Sequence, residues 1–479
     1  MWDKMNILKR KITMNPILFT FFILISMIVA SIVTLATFYL YQSLFNQNHS
    51  ANDFDKIETV YEQINNEYYK DIDEDKLIDS AIDGMVEGLE DPYSEYLTEE
   101  ELSQFDESIS GNFEGIGAEI EQRDNEIFIS SPIKGSPAEK EGLQPKDQII
   151  GIDGDSIEGQ DVNDAVKKIR GEKGTTVTLT IVRGNQQPFD VEITRDKIHM
   201  DSVSHQSIEN ESTDIITISR FQQGTHKELS NVLNKVVNND HNHLILDFRN
   251  NPGGLLDEAV NMIGLFVGDN KVAAILETRD GKQQEVKTNI DQVDGLEDKT
   301  ITIVLNEGSA SASEVFAGAL QDHINATVVG ESSYGKGVVQ TTKQFGDELL
   351  KYTNSKWLTP NERWIHDKGI KPDKVIKPNI YKYLTMLDSD KVYKANSKGE
   401  DIQFIEFGLQ SLGYSIKSPN KEFDSETEKA LKAFQQDHEV KATGEMHGKT
   451  TDTFMKVIFD HLRNDDPQMK KVIQFVTQR

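Results

Sequence analysis

The sequence predicts a multidomain α/β protein with one membrane-spanning helix near its amino end, and three observations predict it. The chain has 479 residues, which is too many for one compact core. Residues 198–380 alternate short apolar strands with helical segments, the order that builds βαβ units. Residues 17–41 contain no charged residue and would span about 37 Å as a helix, enough to cross the hydrocarbon core of a bilayer.

The charges around this apolar run indicate its orientation. Basic residues precede it, and the first acidic residue after it is Asp53. The positive-inside rule then places residues 1–16 in the cytoplasm and the bulk of the chain on the other side of the membrane. A cleaved signal peptide is the alternative, but the run is long for one and no small-x-small site ends it, so we expect an anchor. The basic residues are Lys4, Lys9, Arg10 and Lys11.

The composition excludes several classes of site. The chain has no cysteine, so disulfides, thiolate metal sites and a cysteine nucleophile are excluded. Lys and Arg number 51 against 80 Asp and Glu, giving a net charge of −29 that is spread along the chain. Binding of nucleic acid needs a basic footprint, so we expect no nucleic-acid partner. We also expect no cofactor and no metal ion.

Residues 42–110 are predicted to be helical and are acidic. The motif DPYSEYL interrupts the helical pattern, because Pro92 ends one helix and Thr98-x-x-Glu101 fits a capping box for the next.

Residues 111–197 alternate short apolar strands with Gly and Pro turns, followed by one short helix and another strand. This order resembles a β-rich PDZ domain over its whole length. The resemblance maps the peptide-carboxylate loop onto Glu114, Gly115, Ile116 and Gly117. Glycines there allow consecutive backbone N–H groups to converge on a terminal carboxylate, while an edge strand accepts the peptide as an added strand. A plain tight turn is the alternative for this short motif.

Three special loops are predicted to share one edge of the sheet in residues 198–380. They are RNNPGG, NEGSAS and SSYGKG, and each follows an apolar strand. A strand–helix–strand crossover is usually right-handed with parallel strands, so the loops after parallel strands open on the same side. Active sites of open α/β sheets lie at that edge.

The loop NEGSASASE contains Ser309, Ser311 and Ser313. Its plain interpretation is a helix start, because Ser311-x-x-Glu314 fits a capping box. A serine nucleophile would also need a base. None of the eleven histidines occupies a glycine-shaped loop at the predicted edge, so a histidine triad is unsupported.

Lys336 does occupy such a loop, between Gly335 and Gly337. A lysine acts as a base only when it is neutral, and burial favours that form. Gln340 lies four residues further on, which in a strand returns to the same face, and its uncharged amide can orient the amine. A structural lysine paired with an acid is the alternative.

The motifs DFRNNPGG, GSASASE, YGKGVVQ, DPYSEYL and GIKPD, together with the PDZ-like segment, resemble the carboxyl-terminal processing (tail-specific) proteases over roughly residues 52–375. The resemblance implies a mixed-sheet serine protease core of the ClpP/crotonase type, with Ser311 as nucleophile, Lys336 as base and Gln340 as its partner. It also implies protein substrates with exposed apolar carboxyl-terminal tails, cleaved near that terminus.

Two backbone donors should form the oxyanion hole. Ala312 N–H is one candidate, and the NNPGG turn offers Gly254 or, second, Gly253 as the other.

Arg170, at the end of the PDZ helix, is either a coupling residue between docking and catalysis or an ordinary surface arginine. Two positions depart from the family pattern: Phe248 replaces Leu, and Glu362 replaces Gly, so the turn at Glu362 is expected to differ.

After a linker at 381–400, residues 401–462 resemble the three-helix peptidoglycan-binding module of bacterial envelope proteins, with a capping box predicted at Ser425-x-x-Glu428. A small helical domain that binds another protein is the alternative. Residues 463–479 are amphipathic, and the sequence assigns them no role.

Two rival functions remain, a non-catalytic adaptor and a peptidase for cell-wall peptides. The sequence also leaves open a homo-oligomer and a regulatory partner.

Overall fold

The structure is a computed structural model that describes residues 15–46, 53–123, 125–184, 186–377, 386–464 and 466–478. It contains two compact units, residues 1–85 and residues 86–479. Residues 1–14 of the predicted cytoplasmic segment and residues 381–385 of the predicted linker lie outside the described residues.

Thirteen helices form in the described part of the chain, and most begin or end at residues that favour a helix terminus. Thr98 and Glu101 form the predicted capping box. The prediction for Ser425 is wrong, because Asp424 caps that helix by accepting the amides of Glu426 and Thr427. The helices are α1 (Pro16–Asn46), α2 (Asp53–Glu67), α3 (Glu74–Glu87), α4 (Glu99–Ser110), α5 (Pro137–Lys140), α6 (Val162–Ile169), α7 (Thr225–Val236), α8 (Leu256–Val267), α9 (Ala312–Ile324), α10 (Glu400–Ser411), α11 (Ser425–Asp437), α12 (Lys449–Asn464) and α13 (Pro467–Thr477).

All strands of the described residues belong to the second unit, and they form four sheets. In chain order they are β1 (Glu95–Leu97), β2 (Asn112–Gly115), β3 (Ala118–Arg123), β4 (Glu126–Pro132), β5 (Gln148–Ile152), β6 (Asp155–Ser156), β7 (Thr176–Val182), β8 (Phe189–Thr194), β9 (Asp196–His199), β10 (Val203–Ile208), β11 (Thr213–Ile218), β12 (His243–Asp247), β13 (Val272–Thr278), β14 (Gln283–Lys287), β15 (Thr300–Leu305), β16 (Thr327–Gly330), β17 (Val338–Phe345), β18 (Glu348–Leu358) and β19 (Lys374–Val375).

The first unit contains α1, α2 and most of α3. Within α1, Phe19–Leu40 is long and apolar enough to cross a membrane, with a mean hydropathy of 2.5. A signal sequence near the amino end has the same properties. The predicted span 17–41 lies inside this helix.

The central sheet of the second unit has the order β10-β11-β12-β15-β16-β19. Strands β11, β12, β15, β16 and β19 are parallel, and β10 alone runs antiparallel. The three special loops follow β12, β15 and β16, so the prediction that they share one edge is confirmed. Helices α7, α8 and α9 contribute to the large apolar core on one face of this sheet.

A second, antiparallel sheet has the order β1-β18-β13-β14, and β17 pairs with β18. Strand β17 follows the lysine loop and carries Gln340, while β1 comes from the DPYSEYL motif. Strand β18 therefore pairs both with β1, from the motif that precedes the PDZ-like segment, and with β17, the strand that follows Lys336.

The PDZ-like segment forms a sheet of order β3-β4-β5-β7-β8, with β6 on β5 and a separate apolar core. Strand β3 lies at the edge of this sheet and contacts α6. The antiparallel ribbon β2–β9 connects the segment to the central sheet.

Helices α10, α11 and α12 pack around their own core, in which Phe404, Phe434 and Phe454 are fully buried. Helix α13 instead packs on the second face of the central sheet, where Met469, Val472 and Val476 are buried.

Candidate active site

The three serines of the NEGSASASE loop differ in their surroundings. Ser309 is fully buried and donates to the Phe248 carbonyl (2.8 Å), and Ser313 is fully buried and donates to the Asn251 carbonyl (3.0 Å). Both therefore fasten this loop to the turn after β12. Ser311 is half-buried and precedes the first residue of α9 with φ 55° and ψ −114°. A positive φ at a residue with a side chain is a strained conformation that is found at functional sites.

The turn after β12 approaches Ser311 closely. A Cβ atom on Gly253 would lie 2.9 Å from both the Ala312 nitrogen and the Ser311 Cβ, and the φ of Gly253 is 99°. Only glycine fits there. The Gly253 amide donates to Asn251 Oδ1 (2.9 Å), so it is already engaged. Gly254 forms a parallel bridge with Phe221, and its φ is 142°.

Phe248, the departure from the family pattern behind this turn, fits the core. Its ring stacks on Phe221 with centroids 5.6 Å apart and contacts Phe316 at 4.9 Å.

The lysine loop is held against the segment that follows β18. A Cβ atom on Gly337 would lie 2.7 Å from the His366 nitrogen, and one on Gly335 would lie 3.0 Å from the amides of Lys368 and Gly369. Both glycines thus allow the close backbone approach that their positions predict.

Glu314 joins the serine loop to the lysine loop. This fully buried carboxylate accepts the amides of Ser311 and Lys336 on Oε2, each at 2.8 Å. Its Oε1 accepts the Ser333 hydroxyl (2.6 Å) and the Gly335 amide (2.7 Å). Burial raises the pKa of Glu314, and the four hydrogen bonds oppose that shift. Because they share one oxygen, the amides of Ser311 and Lys336 lie within twice 2.8 Å of each other.

The Lys336 side chain is half-buried, with its ammonium nitrogen 4.8 Å from the centroid of the Tyr93 ring. Burial lowers the pKa of Lys336 and the nearby Lys351 charge lowers it further, while Asp91 and Glu95 act in the opposite direction. A lower pKa increases the neutral, basic fraction of an amine at a given pH.

Gln340 lies on β17 next to a register shift in the β17–β18 pairing. Its Nε2 donates to the Thr353 hydroxyl (3.1 Å), and the Thr353 amide donates to Ser94 Oγ (3.1 Å). Ser94 in turn donates to Asp91 (2.6 Å). The glutamine is thereby linked to the DPYSEYL motif.

Three aromatic side chains hold the backbone of the lysine loop. Trp357 donates to the Lys336 carbonyl (2.9 Å), and Trp364 donates to the Gly337 carbonyl (3.2 Å). His366 Nδ1 accepts the Gly337 amide (3.2 Å) and its ring stacks on Trp364.

The structure thus adds residues to the site that sequence reasoning missed. Tyr93, Trp357, Trp364 and His366 were assigned no role, and Glu314 was assigned only a cap. Sequence signals pointed to only two of them: the DPYSEYL motif contains Tyr93, without an attached function, and Ser311-x-x-Glu314 fits a capping box.

The turn at Glu362 has a clear geometry. Glu362 adopts a φ of 58° and its amide donates to the Thr359 carbonyl (2.8 Å). This left-handed conformation is one that glycine adopts without strain, so the glutamate side chain is accommodated in this turn at a conformational cost.

The predicted carboxylate loop divides into two parts. Glu114 and Gly115 end strand β2, and Glu114 accepts the Lys173 amide (2.8 Å). Ile116 and Gly117 follow as a buried turn, with Gly117 at φ 74°.

Arg170 directly follows α6, and its side chain extends beyond the PDZ-like segment. It forms an ion pair with Glu107 on α4 (2.6 Å), and its guanidinium lies over the Phe113 ring. It thereby contacts the helix that follows the DPYSEYL motif.

Among the described residues, one group has the spacing of metal ligands: His199, Asp201 and Glu228, whose ligand atoms lie within 4.8 Å of one another. Glu228 already accepts hydrogen bonds from Ser202 and Val203 and pairs with His199, so this group also forms a structural tie between β9 and α7.

Four family profiles match the chain in separate regions. Peptidase family S41 matches residues 213–376, and the N-terminal domain of the activating protease CtpB matches residues 30–101. The PDZ domain matches residues 104–182, and the peptidoglycan-binding domain matches residues 398–453.

Relatives are similar over nearly the whole chain. A protein of Staphylococcus aureus (strain N315) named "Probable CtpA-like serine protease" is 43% identical, with 94% of this chain and 90% of the relative covered. The protein of the same name from Staphylococcus haemolyticus (strain JCSC1435) is also 43% identical, over 87% of this chain and 84% of the relative. Among solved structures, the photosystem II D1 C-terminal processing protease is 23% identical, covers 69% of this chain and 88% of its own, and has a TM-score of 0.41.

Proposed function

We propose, since the chain belongs to the carboxyl-terminal processing proteases of peptidase family S41, that it is a serine endopeptidase with Ser311 as nucleophile and Lys336 as general base. The observation that carries this proposal is the shared Glu314 carboxylate. It holds the backbones of Ser311 and Lys336 on one oxygen, so the two side chains start from neighbouring positions. The strained φ of Ser311 and the lowered pKa of Lys336 support the same roles.

The chemistry follows the general scheme of nucleophilic catalysis. The neutral Lys336 amine takes the proton of the Ser311 hydroxyl as Oγ attacks the substrate carbonyl carbon. The resulting ammonium then donates a proton to the leaving amine, and an acyl-enzyme forms. A water molecule that gives its proton to the neutral amine attacks the acyl carbon. The ammonium then returns this proton to Ser311 Oγ as the bond between Oγ and the acyl carbon breaks, and the carboxylate product leaves. Gln340 orients the lysine amine through its uncharged amide.

The oxyanion is stabilised by the amides of Ala312 and Gly254. Ala312 is the first residue of α9, so its amide points from the positive end of the helix dipole. The Gly253 amide is engaged by Asn251, which favours Gly254 of the two glycines.

Substrates are proteins with exposed apolar carboxyl-terminal tails. The tail adds to the edge strand β3, with its terminal carboxylate at the loop Glu114–Gly117. Arg170 couples this docking to catalysis, because its partner Glu107 lies on the helix that follows the DPYSEYL motif and Tyr93 in that motif contacts Lys336.

Replacement of single residues in the detergent-solubilised full chain tests the catalytic assignment. We expect Ser311→Ala and Lys336→Ala to lower kcat for an unfolded protein with an apolar tail by at least about a thousandfold. Lys343→Ala, on the exposed end of β17, is the matched control and should cleave at the wild-type rate. Cleavage that persists in folded Ser311→Ala, or that is lost only in Ser309→Ala, contradicts the assignment. A wild-type chain that cleaves no tailed substrate favours the adaptor.

The envelope location combines two contacts. Residues 17–41 anchor the chain in the membrane, and residues 401–462 bind peptidoglycan. Sedimentation with purified peptidoglycan, with and without residues 401–462, tests the second contact, and equal retention would exclude it. Amino-terminal sequencing of the protein from the envelope tests the first, because a mature chain that begins after residue 41 indicates a cleaved signal peptide instead.

A further inference from the structure

The ring of Tyr93 covers the proposed base. Its centroid lies 4.8 Å from Lys336 Nζ, within the range of a cation–π contact. The ring is held there by its neighbours. Asp91 accepts the Tyr93 amide (3.2 Å) and the Ser94 hydroxyl, and Ser94 accepts the Thr353 amide on β18.

The face of an aromatic ring distinguishes the two protonation states of an amine. Its negative face attracts an ammonium group, whereas it offers nothing comparable to a neutral amine. The phenol itself stays neutral over the working range, because burial and a hydrogen bond with Tyr334 raise the pKa of Tyr93 to about 12. The ring is therefore an uncharged partner of Lys336.

We propose that Tyr93 is a positioning residue for the base, whose ring face binds and orients the Lys336 ammonium group. This inference rests on the proposed function, since it takes Lys336 as the base. The ammonium forms each time Ser311 gives up its proton, and the ring holds it where it can protonate the leaving amine. The same contact opposes the deprotonation that the next cycle requires.

Other charges also act on Lys336 and set the background for this contact. Lys351 on β18 lowers the pKa of Lys336, and Asp91, Glu95 and Glu314 raise it. The ring contribution can be separated from these charges only by a change that alters the electron density of the ring and leaves its shape and every charge in place.

Fluorination of the ring makes that change. Position 93 of the full chain is replaced in turn by Phe, 4-fluoro-, 3,5-difluoro- and pentafluorophenylalanine. Along this series the negative potential of the ring face decreases in steps, while the shape of the ring stays nearly constant. Activity should rise with pH as Lys336 deprotonates, so a weaker ring face moves the rising limb of kcat/KM to lower pH. From Phe to pentafluorophenylalanine we expect a shift of about half a unit to about one and a half units. Tyr93→Phe keeps the ring, and we expect its limb to coincide with that of the wild type.

A second measurement needs no catalysis. In the Ser311→Ala background, competitive acylation of lysines with analysis by mass spectrometry gives the pH at which Lys336 becomes reactive, and this pH should fall in the same steps. Coincident profiles across the fluorinated series, by both measurements, would overturn the role of Tyr93. If the pH at which Lys336 becomes reactive stays the same across the series, that result by itself counts against the ring contact. Cleavage that survives Lys336→Ala counts against the proposed base instead, and it does not affect the labelling result.

Discussion

Glu314 accepts hydrogen bonds that only a carboxylate can accept. Each of its oxygens faces two donors, Ser311 and Lys336 on one side and Ser333 and Gly335 on the other. An amide in place of the carboxylate would turn its NH2 group towards one of these pairs.

Glu314→Gln should therefore leave two buried donors without an acceptor. Each unsatisfied group costs roughly 1–3 kcal/mol, so the free energy of unfolding should fall by about 2–6 kcal/mol. In the fraction that stays folded, kcat should fall more than KM rises, because the Ser311 and Lys336 loops lose their common support. Urea unfolding and steady-state kinetics measure the two effects. Glu307→Gln, exposed in the same loop, is the control and should change stability by less than about 0.5 kcal/mol; equal behaviour of the two variants would refute the role of Glu314.

Single residues also show where sequence reasoning stops. The pattern Ser-x-x-Glu correctly indicates a helix start at Ser311, but it cannot separate Ser311 from Ser309 and Ser313. These two are set apart by bonds to Phe248 and Asn251, about sixty positions earlier in the chain, for which no local pattern exists. The register of the family motif therefore selected Ser311 where propensity could not.

The lysine loop shows how an element positions a side chain through its backbone. Its amides bind Glu314, its carbonyls bind Trp357 and Trp364, and its glycines lie against the backbone of residues 366–369. Lys336 is placed by the loop as a whole and not by contacts of its own side chain alone.

Gly337→Ala should displace this loop, since the added Cβ would lie 2.7 Å from the His366 nitrogen and 2.8 Å from its Cβ. Backbone atoms cannot yield as a flexible side chain can, and a displacement of about 1 Å can lower a rate by about a hundredfold. We expect a loss of kcat/KM of at least that size, measured on the tailed substrate with circular dichroism to verify folding. Gly84→Ala, on helix α3 with open space around the site, is the matched control and should keep full activity. A Gly337→Ala enzyme with wild-type kcat/KM would show that the backbone contact is dispensable.

The relation between elements was predictable only in part. The crossover rule predicted that the loops after β12, β15 and β16 share an edge, because that rule depends on the local order of strand and helix. The pairing of β1 with β18 places Glu95 opposite Lys351. Neither segment contains a local sequence pattern that predicts this pairing. Sequence reasoning therefore proposed a nucleophile and a base but missed the tyrosine whose ring lies against Lys336.

At the scale of the whole molecule, helix α13 of the carboxyl-terminal tail packs against the central sheet. The amphipathic pattern of residues 463–479 indicated an apolar face but not its partner, because the partner is a surface assembled from β11, β12, β15 and β16. Two polar contacts orient the helix. Arg249, at the start of the turn that carries Gly253 and Gly254, binds Asp466 (2.5 Å), and the buried Gln468 donates to the Ile376 carbonyl (2.7 Å).

This packing predicts that the tail stabilises the catalytic sheet directly. Val472 is fully buried between α13 and the sheet, so Val472→Ala should lower the free energy of unfolding of the sheet by about 2 kcal/mol. The chain has three tryptophans, and a Trp2→Phe background leaves Trp357 and Trp364 to report unfolding beside the lysine loop by fluorescence in urea. Gln474→Ala, exposed on the same helix, controls for helix propensity and should shift the midpoint little. If α13 were an independent tail, the two variants would give the same midpoint as the parent. A lower midpoint in Val472→Ala alone establishes that α13, which follows the module of α10–α12, contributes to the stability of the central sheet.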